Sequence, residues 1–254
     1  AGQETVRHFF RAGASSGTIA KAMSAYDKDF SDAIYGIEAD GRYVTESRLK
    51  KMLAHETRLI EERLQRDKHP NKIYFSYANT VATIDFAKQY KGHGWVGISF
   101  QVAPGEEYNE ILLHIRFKET DARLQQETLG ILGVNLIYGA FYKHNDPKKL
   151  LRYLYDHLDK DQLEIDTINF SGPRFANVDN RLMSLQLVKN GMTDAVMFGP
   201  DGKNILPAAV LYKKNILALR GSFRPVTKVN MNMYKKSYDM FIQENKVDKE
   251  NTFV

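Results

Sequence analysis

The stretch Ile111-Leu-Leu-His-Ile-Arg-Phe117 decides the fold class, because it reads as a strand with two chemically different faces. Side chains alternate between the faces of a strand, so the apolar residues lie on one face, and His114 and Arg116 share the other. The apolar face predicts a covered sheet. The polar face would place a proton donor beside a cation that binds anions, or else a pair that is solvated or covered by N-terminal helices.

The same alternation extends in both directions along the chain. Upstream, residues 73–77 and 95–100 read as strands, and the turn-like residues 104–107 predict a hairpin into the strand at residue 111. Downstream, helical and strand patterns follow one another. We expect helices over residues 122–142, 147–158, 179–190, 207–212 and 230–244, and strands over residues 163–170, 195–198 and 216–219.

Strands that alternate with helices are typical of right-handed crossovers and a parallel sheet. The sequence therefore predicts an α/β fold with a mixed, mainly parallel sheet and flanking helices, Rossmann-like in layout. Residues 1–70 carry only helical patterns, over residues 5–11, 18–34 and 45–66. We expect an N-terminal helical segment, residues 1–70, and an α/β domain, residues 71–254.

Composition narrows the function classes. The 254 residues are 43% hydrophobic and 26% charged, which is typical of a folded chain, and the absence of cysteine excludes disulfides and thiolate chemistry. The net charge of +5 is spread along the chain, so nucleic acid is not an expected partner.

The longest weakly charged stretch, residues 128–142, is too short to span a bilayer. We expect a soluble, cytoplasmic protein, with further chain upstream because the first residue is not Met.

Polar loops follow three predicted strands: Ser171-Gly-Pro-Arg174, Gly199-Pro-Asp-Gly202 and Arg220-Gly-Ser-Phe-Arg-Pro225. In parallel α/β sheets, ligands bind outside the carboxyl ends of the strands. The middle loop reads as a simple turn, whereas the other two carry groups suited to phosphate or carboxylate. The predicted ligand contacts are Ser171, Arg174, Arg220, Ser222 and Arg224, with Arg116 from the strand face.

Two histidines are the candidates for acid–base chemistry. Gly92-His-Gly-Trp95 predicts a loop with His93 at its tip, and His114 lies on the polar strand face. No dinucleotide-binding glycine motif, phosphate loop, His-Glu-x-x-His or Gly-x-Ser-x-Gly is present. The sequence therefore predicts no metal site and identifies no cofactor, and any nucleotide site would be of a non-standard kind.

Gly130, Gly133 and Gly139 interrupt the helical pattern of residues 122–142. Each glycine costs about 1 kcal/mol relative to alanine in a helix, so a compensating reason is expected. Close packing against the sheet or a partner subunit is one reason. A ligand held against this helix is the other.

Several blocks together resemble a known group of soluble bacterial proteins. They are residues 24–27, 31–36, 92–95, 129–142, 179–185 and 220–227, and the resemblance spans nearly the whole chain. Members of that group carry names such as TonB-dependent receptor or nicotinate-nucleotide adenylyltransferase. The second name implies a His-x-Gly-His signature, but Gly92-His-Gly-Trp95 has a single His, so no catalytic residue is carried over.

Two functional hypotheses follow. The first is a protein that binds a phosphorylated or otherwise anionic small molecule, a nucleotide being one candidate, at the carboxyl ends of the strands, without a predicted reaction. The second is a non-catalytic, self-assembling scaffold or interaction protein. It is suggested by the apolar stripe Ile19, Met23, Tyr26, Phe30 and Ile34, which would support homo-oligomer contacts.

Overall fold

A computed structural model describes residues 2–254. The chain divides into two compact units, Ala1–Asn204 and Ile205–Val254. All helices of the predicted N-terminal segment belong to the first unit, together with the main sheet. Every candidate residue up to Arg174 therefore lies in the first unit, whereas Arg220, Ser222 and Arg224 lie in the second.

The main sheet has four strands in the order of the sequence: β1 Phe75–Ala82, β2 His93–Phe100, β3 Asn109–Phe117 and β4 Leu163–Ser171. Every neighbouring pair is antiparallel. The predicted mixed, mainly parallel, Rossmann-like sheet is therefore wrong. The predicted hairpin between β2 and β3 is confirmed, with Phe100 opposite Asn109.

The error arose between β3 and β4, where the chain contains two helices. They are α4, Ala122–Tyr142, and α5, Pro147–Tyr153; the other helices of this unit are α1 Gln3–Ala12, α2 Lys28–Tyr35, α3 Glu46–Leu64 and α6 Asn180–Lys189. One helix between two strands brings the chain back, so that the second strand can run parallel to the first. A second helix reverses the chain direction once more, which makes the two strands antiparallel. Because α4 and α5 reverse the chain in turn, β4 runs antiparallel to β3.

The predicted apolar face of the sheet is buried beneath α4. Ile111, Leu113 and Ile115 are fully buried and belong to one core cluster with Leu132 and Leu136 of α4. Asp121 begins α4 by accepting hydrogen bonds from the amides of Arg123 and Leu124, an N-cap arrangement. The prediction of a helix over residues 122–142 is confirmed.

The three glycines of α4 allow close approach of neighbouring elements, but these are mainly the helices α1 and α5, in place of the predicted sheet or partner subunit. A Cβ at Gly130 would lie 3.1 Å from Cβ of Glu4, and one at Gly133 would lie 2.8 Å from Cγ2 of Thr5, both on α1. Gly139 faces Leu150 of α5 instead. The helix therefore contacts α1 on one side, most tightly at Gly133, and α5 on another, where the contact at Gly139 is less tight.

The predicted helix over residues 18–34 is wrong, because the helix begins only at Lys28. The Asp27 carboxylate accepts a hydrogen bond from the Phe30 amide, 2.8 Å away, which starts α2 at that point. Residues 19–26 form no helix, and Phe30 is 58% exposed. The predicted apolar stripe of residues 19–34 therefore does not form one helical face, because residues 19–26 are irregular and only the residues from Lys28 onward are helical.

Buried Arg48 of α3 fixes α2 and the chain that follows it. Its guanidinium donates to the carbonyl of Gly36 and, over 2.6 Å, to the hydroxyl of Ser31. The carboxylates of Asp32 and Glu38 each lie 3.5 Å from the guanidinium, which is 2% exposed. The Arg48 guanidinium thus provides hydrogen-bond or ion-pair contacts to several polar groups within residues 31–38.

The second unit contains the short helix α7, Pro207–Val210, and the longer α8, Lys228–Phe241, which Thr227 caps. The strands predicted at residues 195–198 and 216–219 shrink to two residues each: β5 Met197–Phe198 pairs with β6 Asn204–Ile205, and β7 Asn215–Ile216 pairs with β8 Thr252–Phe253. Within residues 2–254, no helix combines the length and apolarity needed to cross a membrane.

Candidate functional site

Three of the predicted site residues meet on one face of the sheet. His93 begins β2 and lies opposite Arg116 of β3, and Trp95 lies opposite His114. Directly opposed residues of antiparallel strands point to the same face, and so do residues two apart. His93, His114 and Arg116 therefore share the face opposite α4.

A fourth residue, Asp166, reaches this cluster through an irregularity in β4. Ile115 pairs with Ile165, but His114 pairs with Thr167, so Asp166 is an additional residue in the ladder. A β-bulge of this kind changes the direction of a side chain without ending the strand. The bulge places the Asp166 carboxylate beside the His114 ring.

The side chains form a continuous chain of hydrogen bonds. Oδ1 of Asp166 lies 2.7 Å from Nδ1 of His114, and Nε2 of His114 lies 3.2 Å from Nδ1 of His93. The other carboxylate oxygen, Oδ2, forms an ion pair with Nε of Arg116 at 2.9 Å. We call this arrangement of Asp166, His114, His93 and Arg116 the relay cluster.

Burial differs along the relay cluster. The side chains of His114 and Asp166 are only 1% and 5% exposed, and the Trp95 ring packs 5.1 Å from the His114 ring, centre to centre. His93 is partly buried, and the Arg116 side chain is 41% exposed. The buried end is therefore the carboxylate, and the accessible end consists of an imidazole and a guanidinium.

When both histidines are neutral, the hydrogen bonds determine which ring nitrogen of each carries the proton. A carboxylate only accepts, so Nδ1 of His114 donates to Asp166, which leaves Nε2 of His114 to accept from Nδ1 of His93. Nε2 of His93 then carries a lone pair, and it has no hydrogen-bond partner among the described residues. Burial lowers the pKa of His93 below 6.5, and His114 and Arg116 lower it further, while Asp166 opposes the shift.

The glycines beside His93 are required by strand packing. The prediction that residues 92–95 form a loop is wrong, because His93 already belongs to β2. A Cβ at Gly94 would lie 2.8 Å from the carbonyl oxygen of Thr80 in β1, and one at Gly92 would lie 3.0 Å from the Phe117 ring. His93 is thus held by a backbone that approaches its neighbours closely on both sides.

The structure does not bring the other first-unit candidates to the relay cluster. Ser171 ends β4, five residues beyond Asp166, which corresponds to about 17 Å along a strand. The guanidinium of Arg174 binds the Glu106 carboxylate through two contacts, of 2.6 and 3.1 Å. This pair lowers the pKa of Glu106, and the charge of Arg174 is already matched.

Arg220, Ser222 and Arg224 lie in the second unit, in a segment without helix or strand. All three side chains are exposed. The predicted strand ahead of them ends at Ile216, so these residues do not directly follow a strand end. Their role as ligand contacts stays a prediction.

Sequence reasoning missed Asp166, the residue that completes the relay cluster. A signal was present, because Asp166 is the one residue of formal charge between Ile165 and Phe170 in a strand that is otherwise largely buried. Charged groups are rarely buried without a partner. His114 lies 52 residues earlier, so the sequence offered no means of identifying that partner.

The relay cluster is suited to proton transfer. Among residues 2–254, no group of three or more His, Cys, Asp or Glu side chains is arranged to hold a metal ion. Comparisons with protein families, with curated proteins and with solved structures give no match for this chain. The functional argument therefore depends on the geometry of the cluster.

Proposed function

We propose that the relay cluster is an acid–base centre that acts on an anionic small molecule. The observation that carries the proposal is the unbroken series of hydrogen bonds from buried Asp166 through His114 to His93. In this proposal His93 is the catalytic base, Arg116 binds the substrate anion, and His114 and Asp166 are positioning residues. The site lies on the face of the antiparallel sheet that also contacts α3, in place of the strand ends expected from the sequence, and it is accessible through His93 and Arg116.

The proton chemistry follows from the tautomers. Nε2 of His93 accepts a proton from water or from a substrate hydroxyl, and the resulting imidazolium still donates through Nδ1 to His114. The Asp166 carboxylate, two hydrogen bonds away, stabilises that positive charge through the His114 ring. The lowered pKa of His93 keeps its neutral, proton-accepting form populated at neutral pH.

The choice of an anionic substrate depends on Arg116. Its Nε atom faces Asp166, whereas its two terminal nitrogens have no hydrogen-bond partner among the described residues. A guanidinium edge of this kind binds carboxylate or phosphate oxygens through two parallel hydrogen bonds. Phosphate esters, including nucleotides, and carboxylates are therefore the proposed substrate classes.

Binding is tested first, by titrating inorganic phosphate and AMP into the protein and following chemical shifts. We expect Arg116→Gln to abolish the shifts at His93, and Arg174→Gln, a matched control whose cation already binds Glu106, to leave them unchanged. Equal binding by wild type and Arg116→Gln would remove the anion site from the proposal. A scaffold without a ligand site would show no specific shifts in any of the three proteins.

Catalysis is tested with a panel of chromogenic phosphate and carboxylate esters. Removal of a general base typically lowers the rate about 10²–10⁴-fold, so His93→Gln should lose nearly all activity. Asp166→Asn keeps the shape of the buried partner but not its charge, and should lower the rate and shift its pH profile. Full activity of His93→Gln on every hydrolysed ester would refute the assignment of the base.

A further inference from the structure

The outer edge of β1 has no partner strand, and the backbone shows which of its residues direct their amides and carbonyls toward that edge. β1 is the first strand of the sheet and pairs only with β2. The carbonyl of Tyr74 accepts from the Gln101 amide at 3.1 Å, and the Tyr74 amide donates to the Gln101 side chain, so both backbone groups of Tyr74 face β2. Backbone groups alternate in direction along a strand, so those of Phe75 and Tyr77 face outward.

These outward groups border a cavity of about 880 Å³. Neither the amides nor the carbonyls of Phe75 and Tyr77 have a hydrogen-bond partner among residues 2–254. Seven consecutive residues, from Lys72 to Ala78, line the cavity. Successive side chains of a strand point to opposite faces, so a cavity that contacts all of them lies against the strand edge.

The walls of this cavity are apolar on both sides of the plane of the sheet. Phe9 of α1 and Ile137 and Phe141 of α4 line one side, and Met52 and Ile60 of α3 line the other. An extended peptide in the plane of the sheet projects its side chains alternately to the two sides. Both sets of side chains would therefore meet apolar surface.

The end of the cavity formed by the last turn of α3 and the residues before β1 is positively charged. Arg63 and Lys72 line it, and neither side chain has an ion-pair partner in the described part of the chain. Lys21, also in the lining, is instead neutralised by Glu56 at 2.7 Å. The charge at this end therefore complements an acidic group.

We propose that β1 binds an extended, predominantly apolar peptide segment with an acidic residue near one end, which adds to the sheet as a fifth strand. Open strand edges pair in this way with peptides, whose backbone supplies the affinity and whose side chains supply the specificity. The outward groups of Phe75 and Tyr77 repeat after two residues, about 7 Å, which is the repeat of a partner strand. A hydrocarbon chain offers no groups to satisfy them.

The probe is a fluorescein-labelled peptide of alternating valine and threonine with a glutamate at either end. Two further versions carry N-methyl groups on every second backbone nitrogen, in the two possible registers. A strand that pairs with β1 uses only one set of nitrogens, so one methylated peptide should bind like the parent and the other at least about tenfold more weakly. Equal affinity of both methylated peptides, or no binding of the parent, would overturn the proposal.

Two further measurements locate the bound peptide. Hydrogen exchange should slow at the amides of Phe75 and Tyr77, while that of Ser76, which faces β2, should change little. Lys72→Glu should weaken binding severalfold, and Lys68→Glu, a nearby exposed control outside the cavity, should not. Unchanged exchange at Phe75 and Tyr77, or binding of decanoate with no binding of any peptide, would refute strand addition.

Discussion

Substitution of Gly133 by alanine tests how closely α1 is packed against α4. A methyl group at this position would lie 2.7 Å from the Tyr77 hydroxyl and 2.8 Å from Cγ2 of Thr5, with Oγ1 of Thr5 closer still, whereas ordinary contact begins at 3.4 Å. Both branches of the Thr5 side chain obstruct the methyl group. Rotation of Thr5, which is 1% exposed, therefore cannot clear it, and α1 must move.

The expected magnitude follows from two opposing effects. Overpacking of a buried site costs about 1–3 kcal/mol. Replacement of a helical glycine by alanine stabilises the helix by about 1 kcal/mol. Gly139→Ala in the same helix gains the same helical stabilisation but meets only the Leu150 side chain, at 3.2 Å or more. The two variants should thus differ by about 1–3 kcal/mol, with Gly133→Ala the less stable.

The assay is urea unfolding followed by the fluorescence of Trp95, the single tryptophan of the chain, which is buried in β2. Similar denaturant slopes for wild type and both variants would permit direct comparison of their free energies of unfolding. Equal stability of the two variants, or greater stability of Gly133→Ala, would show that α1 is not held against α4 at this contact.

Three other predictions concern charged groups. Arg48→Met leaves the buried Glu38 carboxylate with only the Lys51 ammonium as an ion-pair partner, and should lower the free energy of unfolding by about 3–5 kcal/mol in urea titrations. Because the pKa of folded His93 lies below 6.5, the unfolded chain binds more protons there, so stability should fall as pH drops below about 6.5. That fall should be smaller in His93→Gln, and an identical pH dependence would contradict the assigned environment. Glu106→Gln removes the charge that pairs with the partly exposed Arg174 but keeps a side-chain oxygen that can accept from the Ala103 amide, and should change the free energy of unfolding by less than about 1 kcal/mol.

Local patterns along the chain predicted several elements correctly. The helix over residues 122–142, the hairpin between β2 and β3 and the apolar face of β3 all depend on residues near one another in sequence, for which periodicity is informative. The shared face of His114 and Arg116 follows from the same period. Where a local signal was overlooked, as with the Asp27 cap, a predicted helix was too long.

The parallel arrangement failed for a different reason. An alternating pattern of helices and strands does not reveal how many times the chain changes direction between two strands. Two helices lie between β3 and β4, and these two strands therefore pair antiparallel. The predicted ligand site at the strand ends depended on that arrangement. With the strands antiparallel, Ser171 and Arg174 lie away from the histidines, and Arg174 has Glu106 as its partner.

By itself, the sequence determined which side chains of β3 are polar and that they share a face, because the period of a strand is a local property. Only the tertiary structure decided that His93 lies beside His114 and that a bulge adds Asp166 from 52 residues away. It also decided that β1 has an open edge against a cavity. Register, strand order and bulges arise from contacts between distant segments, and those contacts have no local pattern in the chain.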